Sequence, residues 1–509
     1  MKVADKVIFN TGVLYAQLII GMVIGLFTTR LVLNALGETN YGIYMLVAGV
    51  VGMLGVLNSN MTNTSMRYMA HSFGTGDQET LLKTFNTTLF LHISIGLIVI
   101  LIMEVGGFFM FDYLLNIPED KIYDAKVIFQ FMVLTTFVTV VSVPYDAVIN
   151  SHENIIALSL VDILGFVLKL SAAIYLTYSE TNLLILYGFM LLVIQVLLRV
   201  IKQQYSRFKY DECKIRFRQY VDRDLMKSIL NFTGWNLFGS IGALSVIQVR
   251  GVLLNMFFGV TLNAAEGISR TASSQIDMVS VSMTRAINPQ LIKSEGSGDR
   301  KRMLRITEIS TKFSVFLFAL FAIPFLLEAN YLLHLWLKEV PEYAVAFFQI
   351  TLIAMFIEKF TFSITDSIRA IGEIRNFQTT ETFFRVLNIP LAYFAFKFGY
   401  SAIAIYIIGA AISCIVFGNR LYFGKKIAGI NISNYMRNAI KPILIPFALA
   451  LSLSTFVHFN MNESFSRLFL VTFIFMIILT ITFWLWALKD EEKNKFKEIA
   501  LSTYDRFKK

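Results

Sequence analysis

Residues 465–488 read FSRLFLVTFIFMIILTITFWLWAL, a run in which the only charged side chain is that of Arg467. An α-helix of about 20 apolar residues crosses the hydrocarbon core of a bilayer, because each residue adds about 1.5 Å to its length. This segment therefore predicts a transmembrane helix.

Segments of the same kind fill most of the 509-residue chain. Hydrophobic residues make up 56% of it and charged residues 16%, with a mean hydropathy of +0.63, whereas soluble domains are about 45–50% apolar and about 25% charged. Run length predicts an all-α integral membrane protein with about fourteen transmembrane helices. The predicted spans are 9–33, 41–66, 84–110, 124–149, 155–178, 182–203, 229–258, 261–290, 306–328, 343–369, 377–397, 401–423, 439–458 and 465–488.

Basic residues concentrate in loops that would share one side of the membrane. With the N-terminus inside, the inner loops carry basic clusters at 202–227, 293–305 and 420–441, and the outer loops are short with few basic residues. This asymmetry follows the positive-inside rule and predicts that both termini are cytoplasmic. It also explains the formal net charge of +10 without a nucleic-acid partner.

The chain shows an internal duplication at an offset of about 220 residues, which is the size of a six-helix repeat. The paired landmarks are Arg30 and Arg250, Arg67 and Arg285, Gly74 and Gly296, Pro118 and Pro341, and Asp146 and Asp366. An even number of spans separates equivalent points, so both halves have the same orientation. Parallel repeats of this kind build transporters with two lobes around a site near the midplane. A duplicated scaffold without transport is the alternative.

The duplication predicts a domain organisation of two six-helix lobes related by a pseudo-two-fold repeat, plus two extra C-terminal helices. The predicted parts are an N-lobe at 1–203, a basic cytoplasmic linker at 204–228, a C-lobe at 229–424, the last two spans at 425–488 and a cytoplasmic tail at 489–509.

The eighth predicted span carries a polar stripe. Arg270, Ser273, Asp277 and Thr284 follow Glu266 at helical spacing, so all five lie on one face of an α-helix. Charged groups inside a membrane are costly and indicate function by default. The stripe predicts a face turned to a water-filled cavity, with Glu266, Arg270 and Asp277 as substrate-binding candidates. A packing ion pair between Glu266 and Arg270 is the alternative for that pair.

Arg30 and Arg250 lie at matching depths in the outer part of the two predicted lobes. A guanidinium in such a place suits bidentate binding of a phosphate group, which makes both arginines substrate-binding candidates. The alternative is that each side chain extends to the lipid headgroups.

Further charges lie inside the spans of both predicted lobes. Lys169 is a substrate-binding candidate near mid-membrane on the same face as Asp162, with which it could pair instead. Asp146, Asp366 and Glu358 are candidate sites for coupling to H⁺ or Na⁺. Carboxylates near an inner helix end also cap helices or bind loop arginines, and that alternative stays open.

The motifs of enzymes and metal sites are absent from the sequence. It holds no phosphate-binding loop, no zinc-ligand spacing and no nucleophile elbow, and its two cysteines, Cys213 and Cys414, fit no metal spacing. We predict that the protein is not an enzyme and needs no cofactor.

Several short motifs near the start of the chain resemble those of a known family. They are Asn10-Thr11-Gly12, Arg30-Leu31-Val32-Leu33, Leu36-Gly37, Tyr41-Gly42-Ile43-Tyr44 and the segment from Pro144 to Asn154. The chain is similar over its whole length to Wzx-type polysaccharide flippases. These belong to the multidrug/oligosaccharidyl-lipid/polysaccharide (MOP) exporter superfamily, with the multidrug and toxin extrusion transporters and the lipid II flippases.

The resemblance implies two six-helix lobes around a central cavity, with two further helices that form a hydrophobic groove. It also implies that cavity arginines bind the diphosphate of a lipid-linked oligosaccharide, a role that Arg30, Arg250 and Arg270 would take here. Drug exporters usually have twelve spans, so the extra pair of helices favours a lipid-linked substrate.

The function predicted on this basis is translocation of undecaprenyl-diphosphate-linked repeat units across the bacterial inner membrane by alternating access. The expected partners are membrane lipids and the polymerase and glycosyltransferases of the pathway, and a monomer is expected. A cation-coupled multidrug exporter of the same superfamily is the main alternative. An enzyme of the pathway is disfavoured because no long outer loop is present to house it.

Overall fold

The computed structural model describes residues 3–52, 61, 64–66, 68, 69, 72, 77–152 and 154–494. Among these residues all regular structure is helical, and none forms a strand. Several positions singled out above lie outside the described residues, namely Arg67, Gly74 and the tail from 495 onward, together with the side chains of Thr284 and Arg285.

Long helices form the first part of the chain. They are α1 (Val3–Gly52), α2 (Gln78–Phe109), α3 (Ile122–Ser151), α4 (Ile155–Leu176), α5 (Leu183–Lys209) and α6 (Arg223–Phe258). Single helical turns lie between or beyond them at Met110–Leu114, Glu119–Lys121, Asp211–Cys213 and Phe217–Tyr220.

Shorter and more broken helices form the second part. They are α7 (Thr261–Gly296), α8 (Arg300–Leu327), α9 (Ala329–Trp336), α10 (Ala344–Lys359), α11 (Phe362–Ile371), α12 (Arg375–Val386), α13 (Asn388–Lys397), α14 (Ala404–Phe423), α15 (Lys441–Asn460) and α16 (Phe465–Thr482). Single turns lie at Gly424–Ala428, Ile432–Tyr435, Met436–Ile440 and Phe483–Ala487.

The predicted all-α membrane fold is confirmed. Within the described residues nine helices are long and apolar enough to cross a membrane, or ten if one bent pair counts as a span, which is consistent with about fourteen spans. Two predicted spans are broken rather than continuous. The span 343–369 consists of α10 and α11, which are bent by 47°, and the span 377–397 consists of α12 and α13.

Glycines interrupt the helix direction shortly after two of the repeated landmarks, Arg30 and Arg250. Gly37 breaks α1 with φ 74° and ψ 169°, and Gly259 ends α6 with φ 83° and ψ −175°. Glycine adopts positive φ at no steric cost because it has no Cβ. The two breaks, which follow Arg30 and Arg250 along the chain, therefore share one backbone conformation.

The repeated glycines Gly74 and Gly296 are each followed three residues later by an aspartate that marks the start of a helix. Asp77 accepts hydrogen bonds from the backbone N–H groups of Glu79 and Thr80 at the start of α2, and Asp299 accepts one from Arg302 at the start of α8. An aspartate in this position satisfies N–H groups that the first helical turn leaves without partners. The repeated aspartates are thus N-caps.

Contacts within the chain divide it into two compact units, Met1–Ile268 and Ser269–Lys509. The division falls within α7. The superposition of the two halves by a pseudo-two-fold rotation, and the lobe boundaries in the linker, remain predictions.

Candidate functional site

A polar cavity of about 310 Å³ lies inside the first unit, among α3, α4 and α5. It is lined by Thr139, Ser142, Val143, Asp146, Asp162, Gly165, Phe166, Lys169, Gln195, Leu198, Arg199 and Lys202. Each helix contributes positions i, i+3, i+4 and i+7, which lie on one helix face. Each of the three helices, α3, α4 and α5, therefore directs one face with polar side chains into the same cavity.

Close packing of α4 against α5 sets the shape of this cavity. A methyl group at Gly165 would lie 2.9 Å from Leu198 Cδ1, so a larger residue here would require the Leu198 side chain to move. The level of Gly165 and Leu198 separates two groups of polar side chains. We call Asp146, Asp162 and Lys202 the carboxylate half of the cavity. Lys169 and Gln195 lie in the opposite half, and Arg199, which follows Leu198 along α5, lies on the side of Lys202.

The carboxylate half contains a lysine held between two acids. Lys202 Nζ lies 2.8 Å from Asp146 Oδ1 and 3.7 Å from Asp162 Oδ1. Gln17 of α1 donates a hydrogen bond from Nε2 to Asp162 Oδ2 at 2.9 Å. Both carboxylates thus have cationic or hydrogen-bonding partners, as charges inside a membrane protein require.

The other two cations of the cavity are held less directly, with Lys169 attracted by Asp162 and Arg199 lying near Tyr145. Within the described part of the chain, neither Lys169 nor Arg199 has a recorded hydrogen bond or ion pair, and Arg199 Nε is buried without an acceptor. The cavity contains three cationic side chains and two carboxylates, so it carries an excess positive charge.

The structure brings together two residues that the sequence singled out separately, Asp146 and Lys169. It adds Lys202, which the charge pattern places in the inner linker but which lies in α5. Gln195 and Arg199 were not identified from the sequence, although they precede Lys202 by seven and three residues, a spacing that indicates one helix face.

Arg250 forms an ion pair with a buried carboxylate. Its Nη2 lies 3.3 Å from Glu266 Oε1, with the Arg250 side chain 23% exposed and that of Glu266 4% exposed. Arg250 in this structure is directed toward Glu266, which does not favour the alternative that it extends to lipid headgroups.

Asparagines fix the backbone around this ion pair. Asn255 accepts a hydrogen bond from the backbone N–H of Asn116 at 2.7 Å and donates one to the Asn116 carbonyl at 3.0 Å. Asn263 donates to the carbonyl of Gly251 at 2.8 Å. Asn255 thus holds the end of α6 against the chain at Asn116, and Asn263 holds the start of α7 against α6 on the other side of the break at Gly259.

Arg30 lies before the equivalent break in α1 and is partly buried. No hydrogen bond or ion pair is recorded for its side chain among the described residues. Its proposed role in substrate binding stays a prediction.

The polar stripe on α7 continues into the second unit. Ser273 is buried and donates to the carbonyl of Ser269 at 2.5 Å, and Asp277 Oδ1 lies 2.5 Å from Lys359 Nζ. Lys359 also lies 5.3 Å from the ring centroids of Phe318 and Phe362. Arg270 is partly buried on the same helix. Lys359 is a partner of the stripe that the sequence did not reveal.

Glu358 belongs to a network of two carboxylates and two arginines on α10, α12 and α14. Arg385 binds Glu358 with both terminal nitrogens, at 3.1 and 2.8 Å, and Arg420 binds Glu381 at 2.7 and 3.3 Å. Arg385 also reaches Glu381 at 3.0 Å, and Ser413 donates to Glu358 at 3.0 Å. A coupling ion at Glu358 would compete with the guanidinium groups of Arg385 and Arg420. The geometry therefore supports the alternative that this carboxylate binds arginines.

Asp366, the third candidate for ion coupling, lies on α11. Its side chain is buried, and one oxygen lies 3.9 Å from Arg369 Nη1. Its role in coupling stays a prediction.

An apolar cavity of about 420 Å³ lies between α8 and the end of α16 in the second unit. It is lined by Phe313, Phe316, Thr480, Ile481, Phe483, Trp484, Leu485 and Leu488. Its lining is almost wholly hydrocarbon, so it suits an alkyl chain rather than a polar ligand.

Solved structures share this fold. A lipid II flippase MurJ in an inward closed conformation matches with a TM-score of 0.68 and 12% identity, over 93% of this chain and 98% of that one. An inward-facing multidrug resistance transporter of the MATE family matches with a TM-score of 0.66 and 15% identity, over 82% and 96% of the two chains. A MOP superfamily transporter from Pyrococcus furiosus matches with a TM-score of 0.53 and 14% identity, over 82% and 95%.

These structural relatives are transporters of the MOP superfamily. The chain has their multi-pass membrane fold. No model of a protein family matches the sequence, and no curated protein matches it either.

Proposed function

We propose that the protein is a flippase that translocates an anionic lipid-linked oligosaccharide across the bacterial inner membrane by alternating access. The observation that carries the proposal is the extent of the structural likeness. The match to the lipid II flippase covers 93% of the chain, against 82% for the multidrug transporter. The fold of the flippase therefore accounts for more of this chain than that of the multidrug transporter.

The diphosphate of the substrate would bind an arginine, and Arg250 of α6 is the main candidate. Arg250 is held by Glu266 at 3.3 Å, which orients its guanidinium before substrate arrives. A diphosphate could replace this carboxylate as partner, because charge-assisted bidentate bonds to phosphate are strong. Arg30 and Arg270 are further candidates for substrate binding.

The polyprenyl tail would stay in contact with apolar surface while the headgroup crosses. The cavity lined by Phe313, Phe316 and Trp484 offers such a surface beside α16. Because lipid tails are as apolar as this lining, the surface would hold the tail through van der Waals packing rather than through the hydrophobic effect.

The coupling ion, the oligomeric state and the location of the protein are also proposed. Coupling to H⁺ or Na⁺ would use Asp366, since Glu358 is engaged by two arginines and Asp146 by Lys202. The protein would act as a monomer in the inner membrane with cytoplasmic termini, beside the polymerase and glycosyltransferases of its pathway.

A cation-coupled multidrug exporter is the second candidate, because the MATE transporter matches with a TM-score of 0.66, close to the 0.68 of the flippase. One pair of assays separates the two. Cells that lack their own oligosaccharide flippase are given this chain and scored for surface polysaccharide, and cells that lack drug pumps are given it and scored for resistance. We expect restored polysaccharide without a change in resistance. Resistance without polysaccharide would overturn the proposal.

A further inference from the structure

The surface at the end of α5 combines exposed basic side chains with exposed apolar ones, and we call it the basic surface. Its apolar members are Phe208, which is 96% exposed, and Ile215. Asp211 is the one exposed acid among residues 207–218, so the surface carries an excess positive charge. Its basic members, all exposed, come from the last turn of α5 and the linker after it, and are Arg207, Lys209, Lys214, Arg216 and Arg218.

The length of α5 places Phe208 at the edge of the bilayer. α5 has 27 residues and is therefore about 40 Å long, against about 30 Å for the hydrocarbon core. Its last two turns carry mainly polar side chains, so they extend beyond the core on the predicted inner side. Phe208 follows Leu197, an exposed apolar residue of α5, by about three helical turns and lies on the same helix face. Phe208 therefore continues the lipid-facing side of α5 into the headgroup region.

The linker after α5 is fixed against the side of α2. Asn86, which is fully buried, donates to the carbonyl of Lys214 at 3.0 Å and accepts from the backbone N–H of Arg216 at 2.7 Å. Thr87, also fully buried, accepts from the backbone N–H of Asp222 at 2.9 Å. Buried polar groups keep such hydrogen bonds because losing them is costly. The exposed side chains of the linker therefore have a fixed place on the surface.

One contact of the linker gives its depth relative to lipid. The Phe217 ring lies 5.9 Å from the ring of Phe90 on α2. Phe90 is the first of the exposed large apolar side chains along α2, and it is followed by Leu97, Ile98, Leu101, Ile102, Val105, Phe108 and Phe109. A continuous exposed apolar surface of this kind on a membrane helix faces lipid. The linker thus lies at the inner boundary of the lipid-facing surface of α2, where the headgroups begin.

We propose that the basic surface binds acidic phospholipid headgroups of the leaflet at this end of α5, with Phe208 inserted among them. A cluster of about four to eight lysines and arginines directly beside a membrane span attracts anionic lipids. Their phosphate oxygens accept charge-assisted hydrogen bonds from these side chains, and an exposed aromatic ring adds apolar contact. The surface belongs to the first unit alone and does not depend on what the protein transports.

The alternative for these basic residues is that they only fix the orientation of the chain, because positive charge is retained on the cytoplasmic side. That role requires charge during insertion. It requires neither an exposed ring nor a linker that is held in place, and it predicts no lipid preference in the folded protein. Lipid binding by the purified protein therefore separates the two accounts.

The test uses the full-length protein in nonionic detergent, with phosphatidylglycerol as the probe and phosphatidylcholine as the reference. Native mass spectrometry counts the bound lipids, and the rise in melting temperature measures their binding to the folded state. We expect the wild type to prefer phosphatidylglycerol and to lose this preference as salt screens the charges. Arg216→Gln/Arg218→Gln should weaken phosphatidylglycerol binding about tenfold or more.

Matched variants separate a charged surface from a general loss of charge or of fold. Arg216→Lys/Arg218→Lys keeps both charges and should bind phosphatidylglycerol like the wild type. Lys338→Gln/Lys397→Gln removes two exposed charges from the predicted outer loops and should also bind like the wild type. All these variants should melt like the wild type in phosphatidylcholine, because the exchanged side chains are exposed.

Phe208→Trp tests the position of the ring. We expect phosphatidylglycerol with brominated acyl chains to quench the fluorescence that this variant adds, because bromine quenches tryptophan only at close range. Arg216→Gln/Arg218→Gln in the same background should reduce the quenching. Equal phosphatidylglycerol binding by the wild type and Arg216→Gln/Arg218→Gln would overturn the proposal. Added fluorescence that neither brominated phosphatidylglycerol nor brominated phosphatidylcholine quenches would overturn it as well.

Discussion

Gly42 shows at the scale of one residue why the Tyr41-Gly42-Ile43-Tyr44 motif has its glycine. A methyl group at this position would lie 2.0 Å from the carbonyl oxygen of Val260 and 2.8 Å from its carbonyl carbon. Val260 directly follows the break at Gly259. The second half of α1 therefore packs closely against the backbone at Val260, just before α7. This contact lies beside the break at Gly259, which follows Arg250 along the chain.

We predict that Gly42→Ala lowers the stability of the protein by about 1–3 kcal/mol, because a backbone atom cannot move aside as a side chain can. Thermal unfolding in detergent measures the effect. The control is Gly25→Ala in the same helix, where a methyl group meets nothing within 4 Å. It should be neutral or stabilising by up to about 1 kcal/mol. Equal melting temperatures of the two variants would contradict the packing argument.

Arg250 provides the second prediction at this scale. In cells that lack their own flippase, Arg250→Ala should abolish surface polysaccharide at near-normal protein abundance, because a phosphate in a dry site needs a cationic partner. Arg250→Lys should restore only part of it, since an ammonium cannot form the bidentate pair. Full activity of the lysine variant would instead favour contact with lipid headgroups.

At the scale of helices, the network around Glu358 holds α10, α12 and α14 together. Arg420 is 3% exposed and contacts both Glu381 and Glu358. Four charges with balanced signs and bidentate geometry stabilise each other in a medium of low dielectric. The arrangement explains why three short helices remain aligned although α10 and α12 each end at a break in the chain.

We predict that Arg420→Ala lowers the stability of the protein by about 3–5 kcal/mol, because it leaves Glu381 with an incomplete set of partners in a buried place. The melting temperature in detergent is the measurement. Arg375→Ala removes an exposed arginine from α12 and should change the melting temperature little. If Arg420→Ala melted like that control, the network would not support the helix packing.

The sequence predicted the helices well and their side-chain partners poorly. Run length and charge located α2 to α5 and α14 to α16 within several residues, because lipid requires long apolar helices. The break between α10 and α11 was missed, since neither glycine nor proline marks it. The partners of Glu358 lie 27 to 62 residues away along the chain, and spacing within one helix cannot reveal such pairs.

At the scale of the whole molecule, the orientation in the membrane follows from the basic loops. We predict that a reporter fused after residue 509 is active only in its cytoplasmic form, because lysine and arginine are retained on the cytoplasmic side. A reporter placed in the loop between α4 and α5 should show the opposite activity. An extracytoplasmic signal from the C-terminal fusion would reverse the proposed orientation.

The central claim is that the protein moves an anionic lipid-linked oligosaccharide from one leaflet to the other. Purified protein in proteoliposomes with a fluorescent undecaprenyl-diphosphate-linked oligosaccharide tests it directly, using a membrane-impermeant quencher to follow the substrate in each leaflet. We predict translocation by the wild type under an imposed H⁺ or Na⁺ gradient, and none by Arg250→Ala at equal reconstitution. A wild-type protein that leaves the substrate in its original leaflet under both gradients would contradict the account.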